Sequence, residues 1–264
     1  MPLNEIGFLS LAGLVSGVLA GFLGIGGGTL LVPVLVQLGF LPVQATATSS
    51  LAILVTSSTG SFQNWRMGYL NLRQILLLGA PAVVTAFLGA MVGESLPEHW
   101  LLIGFGILLL SNVYLVSLKK KVVRQAQFRE PRMASGPAIN PVTARMITGS
   151  TAGFMAGLFG VGGGVILVPL QILLLGESIK SAVRTSLGVI VITSISACAG
   201  HALNRNIDFA AGLILGIGGL IGVQISTRYL PKLSDNTVTQ LFRIMLVVLS
   251  VYIFWQAFQL YYVA

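Results

Sequence analysis

The sequence predicts an all-α polytopic membrane protein built from two homologous four-segment halves. Three observations predict it. The 264 residues are 55% hydrophobic and only 8% charged, far from the composition of soluble globular domains. The apolar residues fall in repeated runs of about 20, the length that crosses a bilayer core of about 30 Å. A glycine-rich stretch also occurs twice: GFLGIGGGTLLVP at 21–33 returns as GLFGVGGGVILVP at 157–169, with eight of thirteen positions identical. The offset is 136 residues, at which Gly13, Gly17 and Gly21 return as Gly149, Gly153 and Gly157, and Ser50 and Leu51 as Ser186 and Leu187. A constant offset over that distance marks an internal duplication.

The first segment covers residues 6–39. Unbroken, a helix of that length would reach about 50 Å, well beyond the bilayer core. The glycines at 24–28, with Pro33 five residues on, predict a break that leaves a near-spanning piece and a half-helix. Gly13, Gly17 and Gly21 form a small-residue stripe suited to close helix packing. Segments 2, 3 and 4 cover residues 43–65, 72–92 and 100–118, the second opening on a run of Ser and Thr. The first repeat is therefore 1–118, followed by a basic linker at 119–141. The second repeat, 142–264, copies the first: segment 5 at 142–176 with its break at 160–164, then segments at 179–203, 207–229 and 238–262. The single Cys198 excludes an intrachain disulfide, and no metal site or cofactor is expected.

Charge predicts the topology. Lys119, Lys120, Lys121, Arg124, Arg129, Arg132 and Arg145 crowd the linker against Glu130 alone, which marks a cytoplasmic connection rather than a nucleic-acid patch. With eight full crossings, five Lys/Arg would lie nearer the outside: Lys180, Arg184, Arg228, Lys232 and Arg243. If segments 1 and 5 are instead re-entrant hairpins folded at their glycines, fourteen Lys/Arg lie inside and only Arg205 outside. Each half then has three crossings, so the repeats are inverted and both termini lie outside.

The glycine motifs GFLGIGGGTLLVPVL and GLFGVGGGVILVPL, the runs at 45–51 and 181–187, and HALNRNIDF at 201–209 resemble those of the TauE/SafE family of sulfite and organosulfonate exporter-like permeases. The resemblance covers essentially the whole chain. It implies a permease of the cytoplasmic membrane for a small sulfur-containing anion, and it is more specific for family than for cargo.

Candidate chemistry follows from the breaks. Half-helices starting near Thr29 and Val165 would aim partly positive N-termini and free N–H groups at one central point, which suits an oxyanion. Gly26, Gly27, Gly28 and Thr29, with Gly162, Gly163 and Gly164, are the candidate binding residues. Thr48, Ser49, Ser50, Thr185 and Ser186 follow the half-helices and could add hydroxyls, unless these bond their own helix carbonyls. Arg184 stands where the first copy has Thr48 at the 136-residue offset, either as an anion contact or as an interfacial cation. Asn64, His201 and Asp208 are coupling candidates, with His201 able to titrate. No nucleotide loop and no nucleophile–base pair is recognisable. The reading is a secondary transporter working by alternating access; an anion channel and a membrane scaffold are the alternatives. Its partners are the anion, the lipid bilayer and, in a homo-oligomer, a second copy, with no nucleic acid.

Overall fold

The computed structural model describes residues 3–127 and 140–263, and the described residues are helical with no strand. In order the helices are α1 Leu3–Leu23, α2 Gly28–Gln37, α3 Pro42–Arg66, α4 Leu72–Ser95 and α5 Glu98–Gln127. They are matched by α6 Pro141–Phe159, α7 Gly164–Leu174, α8 Ile179–Leu203, α9 Phe209–Tyr229 and α10 Asp235–Val263. Five helices are long and apolar enough to cross a membrane: those within 5–23, 72–95, 179–203, 209–232 and 235–256. Exposed Leu, Ile, Val and Phe side chains cover the outside of the bundle, as lipid contact requires.

Both expected breaks are present, between α1 and α2 and between α6 and α7. Glycine supplies the left-handed backbone there: φ is +68°, +73° and +86° at Gly24, Gly26 and Gly27, and +62°, +73° and +75° at Gly160, Gly162 and Gly163. The half-helices begin one residue earlier than expected, at Gly28 and Gly164. The prolines do not end them: Pro33 and Pro169 lie inside α2 and α7, each removing a single helix hydrogen bond. The connection after α5 also differs from expectation. The helix runs past residue 118 to Gln127, so the first nine residues of the linker (119–127) are helical; Arg129, Glu130 and Arg132 lie outside the described residues.

The halves interlock. α1 lies along α9 of the other half, and α6 lies along α4. Glycines make both approaches possible: a Cβ on Gly13 or Gly17 would strike the carbonyls of Leu215 or Gly219, and one on Gly149, Gly153 or Gly157 those of Leu78, Ala82 or Ala86. The stripe at four-residue spacing is thus a packing device, and residue numbers rise together along each pair, so the paired helices are parallel.

The bundle has two distinct ends. At the first, the α2–α3 turn at 38–41 meets Glu98 and Gln256, and the α8–α9 turn meets Phe40 and Gln44. At the second, Gln74 bonds Glu177, Lys180 pairs with Asp235, and Arg184 lies on Tyr69. Because α1 starts level with the start of α9, it starts at the first end, and α2 finishes there. By the same reasoning α6 starts, and α7 finishes, at the second end. Glu94, Glu98 and Asp208 lie at the first end, and Arg66, Arg73, Lys180, Arg184, Arg228 and Lys232 at the second.

Candidate functional site

The two breaks meet in the middle of the bundle. A Cβ on Gly28 would strike Gly160 O, and one on Gly164 would strike Gly24 O, so each half-helix starts against the other break's backbone. Two hydroxyls lock the junction. Ser49 Oγ on α3 donates to Gly160 O at 2.8 Å, and Ser186 Oγ on α8 donates to Gly24 O at 2.6 Å. Each serine reaches into the opposite half. Ser16 Oγ also donates to Gly27 O at 3.0 Å, which holds the turned-back chain against α1.

These bonds correct the internal register. Ser49 and Ser186 do the same work, so the offset from α3 and α8 onward is 137, against 136 at the glycines. The extra residue is in α7, which has 11 residues to the 10 of α2. Arg184 therefore matches Ala47 rather than Thr48, and Ser186 matches Ser49 rather than Ser50.

Every residue from Leu23 to Thr29 and from Ala156 to Pro169 is buried. Ile53 and Ile190 close over the junction from α3 and α8, both touching the approach to Gly26 and to Gly162. Neither half-helix has a side-chain cap, so the dipole and the first N–H groups of both are directed at this junction. The Thr29 hydroxyl is buried with no hydrogen-bond partner. In this conformation the junction is closed off from the surface of the bundle. An anion reaching it would find backbone donors and Thr29, while Ser49 and Ser186 already spend their protons on carbonyls.

The structure thus brings together Gly26, Gly27, Gly28 and Thr29 with Gly162, Gly163 and Gly164, and adds Ser49 and Ser186. Other expected residues face elsewhere. Ser50 Oγ bonds its own helix at Thr46 O, 2.9 Å away, as apolar-helix serines commonly do. Thr48 Oγ1 accepts the Asp208 N–H at 3.0 Å, tying α3 to the α8–α9 turn. Thr185 is buried beside Ser186. The Arg184 guanidinium stacks 3.7 Å from the Tyr69 ring centroid at the second end, a cation–π contact that takes it off the junction.

The coupling candidates divide similarly. Asp208 accepts the Ala211 N–H at 2.9 Å and so caps α9. Asn64 and His201 occupy matching, fully buried positions. Neither amide atom of Asn64 has a partner. His201 Nε2 lies 3.1 Å from Gly157 O, three residues before the second break, and Nδ1 lies 3.5 Å from Glu94 Oε1. A carbonyl only accepts, so Nε2 carries a proton, and a proton on Nδ1 would complete an ion pair with Glu94. Sequence reasoning missed Glu94 as a partner; an acid at the end of an apolar span was the available signal.

Comparison with known proteins identifies the family. The family described as Sulfite exporter TauE/SafE matches residues 9–253. The chain is 25% identical over 258 residues to the probable membrane transporter protein YunE of Bacillus subtilis, covering 92% of this chain and 94% of that one. It is 28% identical over 244 residues to a probable membrane transporter protein of Methanocaldococcus jannaschii, covering 85% and 87%. Two interlocked helical halves, joined at paired glycine breaks and matched to this family over nearly their whole length, make the chain a member of the sulfite exporter TauE/SafE family of membrane transporters.

Proposed function

We propose that this protein is a secondary transporter that moves a small sulfur-containing oxyanion, such as sulfite or an organosulfonate, by alternating access at the glycine junction. The observation that carries the reading is the meeting of two uncapped half-helix N-termini, one from each half, at one buried point. A dipole-based site binds an anion without a buried cation and releases it easily. Ile53 and Ile190 act as the gate, and their withdrawal would open the junction.

In this reading the halves are inverted repeats, with α1–α2 and α6–α7 as re-entrant hairpins. The common ends of each hairpin and the segregation of basic residues support it. The basic end and the linker then face the cytoplasm, and both termini lie outside. The His201–Glu94 pair couples anion movement to a proton, because its link to Gly157 O touches the helix that leads into the second break. The membrane potential is the other available driving force.

Purified protein reconstituted in liposomes tests the reading with sulfite, sulfoacetate, taurine, thiosulfate and sulfate. A carrier gives saturable flux and counterflow for at least one of them. Flux linear in concentration without counterflow would favour a channel, and no binding or flux for any of the five would overturn the sulfur-anion assignment.

A further inference from the structure

We propose that Arg205, Gln44 and Asn206 form a capture site for a small oxyanion at the acidic end of the bundle. It rests on the transport reading and names the place where the anion first binds.

Arg205 is the one lysine or arginine among the described residues at that end. Its backbone is left-handed, with φ +56°, and it is the only non-glycine so found among the described residues. The position closes α8: Arg205 N–H bonds Ala202 O at 3.2 Å, and Asn206 N–H reaches His201 O at 3.4 Å. The first half closes α3 in the same way, with Gly68 N–H on Trp65 O and Tyr69 N–H on Asn64 O, both at 2.9 Å. There the left-handed residue is Gly68, φ +74°. The turn itself is best served by glycine. An arginine in its place stands against backbone preference, which points to a use other than the turn.

That use is visible in the surroundings. Arg205, Gln44 and Asn206 line a cavity of about 390 Å³ with Phe40, Asp208 and Phe209. Neither the Arg205 guanidinium nor the Gln44 amide has a hydrogen-bond or ion-pair partner among the described residues. The acids beside them are occupied: Asp208 caps α9, and Glu94 accepts from Asn206 Nδ2 at 3.2 Å. A guanidinium presents paired donors that match two oxygens of one sulfite or sulfonate group, and the amides can reach a third. The neighbouring carboxylates limit affinity, as passage through the site requires.

The lining of the cavity is tied to the junction through α3. The Asp208 N–H that borders it bonds Thr48 Oγ1, and the next residue, Ser49, bonds Gly160 O at the junction. Gln44 lies one turn before Thr48, about 6 Å along α3. The Gln44 side of the cavity is therefore about one turn of α3 from the residues that hold the junction.

The same oxyanion chemistry is offered by a phospholipid headgroup, and the test separates the two sources. Wild type, Arg205→Gly and Arg205→Lys would be purified in uncharged detergent. Sulfite and sulfoacetate binding would be measured by calorimetry, and flux in phosphatidylcholine liposomes with and without phosphatidylglycerol. Arg205→Gly should melt about 1–3 °C higher, since it relieves the backbone. It should nevertheless bind the anion about tenfold more weakly and raise KM to match, with maximal rate nearly unchanged. Arg205→Lys should fall between, having the charge without the fork.

If free-anion binding is unaltered and only the phosphatidylglycerol dependence of flux disappears, the oxyanion is a headgroup. Binding lost in Arg205→Gly, with no flux in wild type, would sink the transport reading and keep the site. Equal affinity, KM and lipid dependence in wild type and Arg205→Gly would overturn the proposal, as would a wild type that binds neither anion nor phosphatidylglycerol.

Discussion

The two halves of this protein solve the same packing problem with nearly the same residues and then diverge at a few positions. At the junction they agree: Gly28 and Gly164 each admit the other break's carbonyl, and Ser49 and Ser186 each tie it down. Toward the ends they differ. His201 with Glu94 stands where the first half has Asn64, and Arg205 stands where it has Gly68. What both copies share is what the junction requires. What only one copy carries is free to serve direction, coupling or access, because the duplicated fold forms without it.

The strongest test of this division is at the junction. Gly28→Ala and Gly164→Ala each place a methyl against backbone of the other half, which has no side chain to move aside. Both should cost about 4 kcal/mol or more, enough to lose the folded protein. Monodisperse protein recovered in detergent would fall to background for either. At Gly27 and Gly163 the same change should separate the halves, because Gly27 faces the Ser16 hydroxyl while Gly163 faces the Ala152 carbonyl. Recovery of Gly27→Ala above Gly163→Ala is expected; the reverse order would mean that the Ser16 hydroxyl yields less readily than the Ala152 carbonyl.

Ser49→Ala and Ser186→Ala come next. Each strands one buried carbonyl, at Gly160 or Gly24, for an expected loss of about 1–3 kcal/mol. Near-equal falls in Tm would confirm that the serines are counterparts at the 137-residue offset. Ser50→Ala, whose hydroxyl bonds its own helix, should change Tm much less.

The sequence made the breaks legible because glycine and proline act on the local backbone, where composition is enough. It did not make the cross-half contacts legible, since nothing in a run of Ser and Thr says which carbonyl a hydroxyl will find. Thr48, Ser49 and Ser50 are consecutive, yet they face the α8–α9 turn, the junction and their own helix. The register slip was legible farther on, where Asn64 and Asn71 match His201 and Asp208 at an offset of 137, but its onset was not. One added residue in α7 changes the offset, and the repeated Ser-Leu pair at 50–51 and 186–187 disguised it. Arg184 looked like a site residue from its depth in the span, but Tyr69 from a distant turn claims its guanidinium. Charge was legible as a distribution: Arg66, Arg73, Lys180, Arg184, Arg228 and Lys232 lie at one end of the bundle, and Glu94, Glu98 and Asp208 at the other.

The Asn64–His201 difference predicts a smaller, functional effect. His201→Asn gives the second half the residue that the first half already tolerates buried, so the protein should fold with little change in Tm. Wild-type flux should rise about tenfold when the acidic-end side is made more acidic by two units, since the pair would load a proton there. Flux by His201→Asn or Glu94→Gln should be flat under the same gradient. A variant that keeps the full response would place the coupling proton elsewhere.

The smallest effect bears on the claim that Arg205 is held against its backbone preference. Gly68→Arg puts arginine at the matching left-handed position, φ +74°, at the basic end of the bundle. Nothing lies within 4 Å of a Cβ built there, so steric contact contributes nothing and the backbone alone decides. The expected cost is about 1 kcal/mol, a fall in Tm of about 2–4 °C. KM for the anion should not change, because the added charge joins a surface that already carries Arg66, Arg73 and Arg184. A measurable fall establishes that arginine is disfavoured in this turn and that Arg205 is retained for something other than the fold. No fall at all would mean the turn accepts arginine freely, and the contrast between Gly68 and Arg205 would then say nothing about function.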